Sequence, residues 1–441
     1  MKWQRSRGRA ASARAAAVGA AVCVLAALPV QAGADSGPSP YVFDPGAKRI
    51  SGAATTSGAK QLDADGTYRD SIEPGGTRIY RLNLDARTNA YVSAVAVPGA
   101  ASTVAYGDKI EISLQNSQGS DCSSNDAQFG TASKYPRPLA AYAYRLVEKG
   151  AYSCQEAGPY YVVIERTGED SSTPEPWELE IRHVSEPELT SPGPSEAPSG
   201  WPSASPEPVG GESRARAGGT GFYDAAELGK GEWTAEIEPG ASLFYRVPVD
   251  WGQQIFVGAD LGSAAGTGSG SGSGFVSGAF SMALYNPARG LVDTSNSLSY
   301  NGKQKTTALD ALPPVAYENR FGSRTGDKEM RFAGWYYLRV SLSPEVGKEF
   351  GPGPYGLTLR VDVTGDPKGA PAYAGPAGDF SVDPDDRQAS TGGDTSRTAA
   401  AADNGTMTLV AAGGIGMGTV LVAGLGVWTL LARRRAAPGP G

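Results

Sequence analysis

The chain has 441 residues, with 46 Asp and Glu against 39 Lys and Arg, one histidine and three cysteines. The negative balance excludes a nucleic-acid binder, which would need clustered Lys and Arg for phosphate contacts. A single histidine leaves no two-histidine zinc site and no HExxH motif.

From the N-terminus, Lys2, Arg5, Arg7, Arg9 and Arg14 precede an apolar run over residues 15–28, and Ala32-Gly33-Ala34 fits a cleavage site before Asp35. Residues 1–34 therefore read as a secretory signal peptide. Its removal takes away Cys23 and leaves Cys122 and Cys154, two thiols in an oxidising compartment, which are expected to form a disulfide. Residues 35–59 are small and polar and are expected to be a flexible leader.

The next element is a phrase that occurs twice. Residues 72–85 and 237–250 share seven of fourteen positions: Ile72-Glu73-Pro74-Gly75, Tyr80-Arg81 and Asp85 against Ile237-Glu238-Pro239-Gly240, Tyr245-Arg246 and Asp250. Later anchors repeat in the same order. Ala157-Gly158-Pro159-Tyr160-Tyr161 answers Ala333-Gly334-Trp335-Tyr336-Tyr337, and Leu179-Glu180-Ile181-Arg182 answers Leu357-Thr358-Leu359-Arg360. Two ordered anchors at similar spacing mark a duplicated domain rather than a solenoid. Each copy alternates apolar and polar residues, as in Ile79 to Leu84, and Glu-Pro-Gly supplies the turn before that strand. The expectation is all-β: two tandem antiparallel β-sandwich, jelly-roll-like domains at 60–184 and 220–365, plus one C-terminal transmembrane helix.

Residues 185–219 hold seven prolines between Pro187 and Pro208 and read as a Pro/Ser/Glu-rich linker. Residues 366–406 read as a disordered stalk. Residues 407–432 carry no charge and end at Arg433, Arg434 and Arg435, which fits a membrane-spanning helix with a cytoplasmic tail at 433–441. Gly414 and Gly418 form a GxxxG that permits helix pairing. The topology is single-pass type I, in the cell membrane, with the bulk of the chain extracellular. Without the terminal cations, 31 Lys and Arg face 46 Asp and Glu, so the exported part carries −15.

The order of turn, Tyr-Arg strand, late Ala-Gly-x-Tyr-Tyr strand and closing Leu-x-Ile/Leu-Arg strand resembles the bacterial pre-peptidase C-terminal domain. The resemblance covers both repeats and implies small β-sandwiches with accessory or binding work. The family's acidic mid-domain strand is replaced here by Ile110-Glu111-Ile112-Ser113-Leu114 and Phe280-Ser281-Met282-Ala283-Leu284, so no metal role carries over.

Function is expected from surfaces rather than chemistry, with no catalytic residue, no metal and no cofactor. His183, the lone histidine, stands at a strand end, which makes a hydrolase the weakest reading. Tyr142, Tyr144, Tyr152 and Trp335 are the aromatics singled out as candidate binding residues, since exposed rings stack on sugars or proteins. Two partner classes follow: an envelope protein, or alternatively a cell-wall glycan. The Ala/Gly/Pro-rich, Lys-poor usage suggests a high-GC, actinobacterial source.

Overall fold

The computed structural model describes residues 40–131, 134–148, 150–191, 193–204, 210–264 and 274–391. The expected signal peptide, the expected membrane segment, Gly414, Gly418 and Arg433 to Arg435 lie outside these residues. Among the described residues no helix is long and apolar enough to cross a membrane.

The described chain is all-β apart from short helical turns. In the first repeat lie β1 (Lys48–Arg49), β2 (Lys60–Gln61), β3 (Thr67–Ile72), β4 (Thr77–Leu84), β5 (Asn89–Val97), β6 (Lys109–Gln115), β7 (Asp121–Gln128), β8 (Leu139–Arg145), β9 (Gly158–Thr167) and β10 (Trp177–Glu186). The second repeat holds β11 (Arg214–Ala215), β12 (Ala226–Glu227), β13 (Gly231–Ile237), β14 (Ser242–Val249), β15 (Gln254–Leu261) and β16 (Val276–Tyr285). It continues with β17 (Leu291–Thr294), β18 (Leu298–Tyr300), β19 (Lys305–Ala308), β20 (Gly334–Leu342) and β21 (Tyr355–Thr364). Short helices α1 (Thr325–Glu329) and α2 (Pro344–Phe350) flank β20, and α3 (Pro384–Thr391) follows the last strand.

The duplication is visible in the sheets. The first repeat has the orders β1-β3-β10-β5-β8 and β2-β4-β9-β6-β7; the second has β11-β13-β21-β15-β19 and β12-β14-β20-β16-β17. From β3 to β10 the chain changes sheet at every step except the β6–β7 hairpin, which is the jelly-roll order. The long strands pair antiparallel. Each sheet also carries a two-residue edge strand that pairs parallel: β1 with β3, β2 with β4, β11 with β13 and β12 with β14.

The repeated Glu-Pro-Gly phrase explains the β3–β4 and β13–β14 corners. Pro presets the first central φ, and Gly75 and Gly240 take φ of +68° and +86°, the geometry of a type II turn. Each turn closes with a hydrogen bond to the Glu73 or Glu238 carbonyl, at 2.9 and 3.0 Å. Alternation then aims Tyr80 and Leu82, or Tyr245 and Val247, into the core between paired sheets.

Three segments expected to lie outside the folded repeats, the leader, the linker and the stalk, contribute to the body. Leader residues 48–49 form β1, and Tyr41 packs against Phe244 of the second repeat at 5.9 Å between ring centroids. In the linker, Leu189 bridges Tyr373, Thr190 N–H donates to Ala372 O, and Ala374 N–H donates to Glu188 O. The expected stalk folds back through residue 391, with Phe380 fully buried and α3 against β14. Small polar composition signals a segment that cannot fold by itself. Here each segment carries an apolar side chain that packs on the double body, half-buried for Tyr41 and Leu189 and fully buried for Phe380.

Candidate functional site at the seam of the repeats

Strand β5 has almost no exposed position, because both of its faces are covered. Val92, Ala94 and Ala96 face the first sandwich core, while Tyr91 and Val95 face the second repeat. On the neighbouring strands, Ala140 and Tyr142 of β8 and Val184 of β10 turn the same way. Opposite them lie Phe222, Phe244, Ala283 and Tyr285 in one cluster, and Ala288, Phe332 and Phe380 in another. The seam thus joins the β3-β10-β5-β8 sheet of one repeat to the β14-β20-β16 sheet of the other. These two sheets are not equivalent under the duplication.

Charged groups are buried within this apolar seam. Glu180 accepts from Arg289 at 2.5 Å and from the Asp44 backbone at 3.0 Å. Glu186 receives four donors: Arg320 (2.7 Å) and Tyr373 on one oxygen, Asn89 and Tyr91 on the other, the last three at 2.8 Å. Burial pushes the Glu186 carboxyl up, but the Arg320 charge and these donors reverse that and hold it below the usual range. Glu329 behaves oppositely. Burial raises it, and Arg331, Tyr142 and Asn286 offset this only in part. Tyr142 donates to Glu329, and Arg331 donates to the Tyr142 hydroxyl at 2.6 Å.

The aromatics singled out from the sequence separate by position. Tyr142 is 2% exposed inside the seam, so it cannot meet a sugar or a partner. Tyr144 is half-buried beside it, with the Arg331 guanidinium 4.8 Å from its ring centroid. Trp335 lies under Arg246 at 4.4 Å and donates from its indole to Asp386 of α3 at 3.1 Å. Tyr152 is fully exposed in the β8–β9 loop. That loop is tied to β7 by the Cys122–Cys154 disulfide. The alternating charges Glu178-x-Glu180-x-Arg182 have the pattern of a solvent face although Glu180 is buried, so the seam has no signature in alternation alone.

His183 is 3% exposed, its Nδ1 is 3.1 Å from the Asp63 carbonyl, and burial holds its pKa below the ordinary value. A neutral, enclosed imidazole is a poor general base for an external substrate. Asp63 pairs with Lys48 at 3.3 Å, and Asp70 accepts from Tyr80 and the Gly52 N–H, both at 2.7 Å. Among the described residues no group of His, Cys, Asp and Glu is arranged to hold a metal.

One concave site was missed. A cleft of about 540 Å³ lies where linker residues 189–202, loop 313–319 and segment 368–372 converge. Trp201, which the sequence leaves isolated among prolines, forms part of its wall together with Trp251 and Tyr317.

No protein family and no curated protein matches this chain. Similar solved structures include the N-terminal CBM22-1-CBM22-2 tandem domain of Paenibacillus barcinonensis Xyn10C, at 12% identity and TM-score 0.19, covering 70% of this chain and all of that one. Tripeptidyl peptidase 2 is similar at 9% identity and TM-score 0.18, covering 68% of this chain and 24% of that one. The CUB1-EGF-CUB2 domain of human MASP-1/3 follows at 4% identity and TM-score 0.16, covering 67% and 99%. At TM-scores this low, none of these likenesses carries an assignment.

Proposed function

We propose that this chain is a non-enzymatic, single-pass type I surface protein that presents a rigid double sandwich to a protein partner in the cell envelope. The supporting observation is the seam. Aromatics and ion pairs that could have served a ligand are spent on fusing the repeats, which leaves a stiff body with polar outer faces. Stiff presentation favours a macromolecular partner, because little conformational entropy is lost on binding. The repeats' motifs fit accessory sandwiches of the pre-peptidase C-terminal type, and accessory binding is the role assigned to them. The basic and apolar pattern of residues 1–34, the uncharged stretch at 407–432 and Arg433 to Arg435 support the topology as sequence features, and Gly414 with Gly418 would allow pairing in the membrane.

Crosslinking of the full chain in intact envelopes, followed by affinity capture, tests this reading. Recurrent recovery of one envelope protein is expected, and repeated recovery of none would overturn it. The glycan reading retains Tyr152 as a free ring. Co-sedimentation with purified cell wall that is abolished by Tyr152→Ala would favour it over a protein partner.

A further inference from the structure

We propose that residues 40–44 are a tethered peptide ligand of a groove built by both repeats, and that the groove takes the same segment in exchange from a second copy of the chain. The folded body alone carries this, without the membrane topology or the envelope partner.

The ligand is seen in its place. Residues 40–44 form a strap along the seam, with Tyr41 and Phe43 half-buried and Val42 exposed between them. The first repeat supplies Glu180, whose fully buried carboxylate accepts from the Tyr41 hydroxyl at 3.3 Å and from the Asp44 N–H at 3.0 Å. It also supplies Arg69, whose guanidinium lies 4.0 Å from the Phe43 ring centroid. From the second repeat come Phe244 against Tyr41, Arg289 on Glu180, and Thr220, whose hydroxyl donates to the Pro40 carbonyl at 2.8 Å. A buried carboxylate is costly without donors. Glu180 draws two of its donors from the strap, so the floor of the groove is made to receive an extended chain.

Gly221 leaves room for that chain. The three atoms nearest to a Cβ placed there all belong to the strap, the closest being the Val42 carbonyl oxygen at 2.2 Å. A side chain at 221 would therefore shut the groove while meeting the strap before anything else.

The strap is also free to leave. It comes first among the described residues, so its release threads no loop. Its hinge is the turn Asp44-Pro45-Gly46-Ala47, closed by the Ala47 N–H on the Asp44 carbonyl at 3.0 Å. Beyond the hinge, β1 pairs with β3 of the first repeat. About 270 Å³ of the groove stays open beside Tyr41 and Phe43, so water reaches the strap without parting the repeats. A strap from a second copy makes the same contacts. Exchange therefore forfeits only the tether, an effective concentration on the order of millimolar. With one strap and one groove per chain, reciprocal exchange closes at two copies.

The test is disulfide trapping between purified full chains. A Pro40→Cys chain and a Thr220→Cys chain, neither able to bridge strap to groove by itself, are mixed and slowly oxidised so that each exchange is captured. A bridge between position 40 of one copy and position 220 of the other is expected, identified by mass spectrometry of the linked peptides. Adding Gly221→Ala to the Thr220→Cys chain should cut its yield at least tenfold, as should an excess of a synthetic peptide of residues 40–47. No bridge between copies, or an equal yield with Gly221→Ala, would overturn the proposal. In a second arm, that peptide is titrated calorimetrically into a chain lacking residues 40–44. Saturable binding is expected, weakened at least tenfold by Tyr41→Ala in the peptide, and absence of binding to the folded shortened chain would equally overturn it. If the shortened chain does not fold, the trapping decides alone.

Discussion

Glu186 shows how one carboxylate can hold three parts of the molecule together. Its donors come from β5, from the 3₁₀ turn at Tyr317–Phe321 and from the segment after β21. Removing one member of a buried pair leaves the other charge uncompensated, at a cost of about 3–5 kcal/mol. Glu186→Gln is therefore expected to lose that much stability at neutral pH in urea unfolding. The folded carboxyl lies below its unfolded value, so its contribution is complete above the unfolded value of about 4.3 and is lost as pH falls through the folded one. The gap between variant and parent should shrink towards acid, and a gap of constant size from pH 7 to pH 3 would refute the assignment. Glu329 has the opposite sign. Its raised carboxyl stabilises the fold at acid pH, and that contribution is lost as pH rises through the folded value. None of this was legible in the sequence, because charged residues alternating along β10 look the same whether water or another domain covers them.

At the level of elements, the doubled turn and its strand were legible because local chemistry specifies them. Pro and Gly fix the corner, and alternation fixes the face. The disulfide was legible from the cysteine count and the compartment expected from the sequence. It joins β7 to the β8–β9 loop across a sequence separation of 32, and chain-entropy arguments assign it about 3–4 kcal/mol. The buried Arg145 at the end of β8 donates to the Cys154 carbonyl at 2.9 Å and so positions that loop independently. A Cys122→Ser/Cys154→Ser chain should therefore unfold at lower denaturant concentration yet keep its native near-ultraviolet dichroism; loss of that signal would show that the bridge is needed for the fold itself. The folded-back tail was not legible. Its apolar anchor is Phe380, stacked 4.3 Å from Phe332 in a segment rich in Gly, Pro and Asp. Phe380→Ala is expected to cost about 3–5 kcal/mol, and an unchanged melting temperature would mean that the tail does not hold the seam.

For the molecule as a whole, an apolar, hydrogen-bonded seam predicts one cooperative unit rather than two independent domains. Calorimetry should show a single transition with matching calorimetric and van't Hoff enthalpies. Nicking the exposed linker between residues 193 and 200 should leave the two repeats associated under native conditions and separate them only in denaturant; separation in native buffer would overturn this. The repeat count and the all-β class could be read from sequence, because both are properties of segments. Docking depends on pairing one repeat's face with a different face of the other, which no single segment encodes.

That mismatch has a consequence for assembly. A contact between unlike faces is not self-limiting: a third unit could add at either end, then a fourth, as in a fibre. Duplication left each end with a relative of a seam-forming face, yet the two ends have diverged. On the outer face of β13, β21 and β15, Phe256 stands where the seam-forming sheet presents Tyr91, but Asp260, paired with Arg360 at 2.6 Å, stands at the position of Val95. On the other end, Arg81 and Glu165 stand exposed. Docking a further unit on the sheet of β13, β21 and β15 would have to desolvate the Arg360–Asp260 pair, a cost that the Val95 position of the seam does not carry.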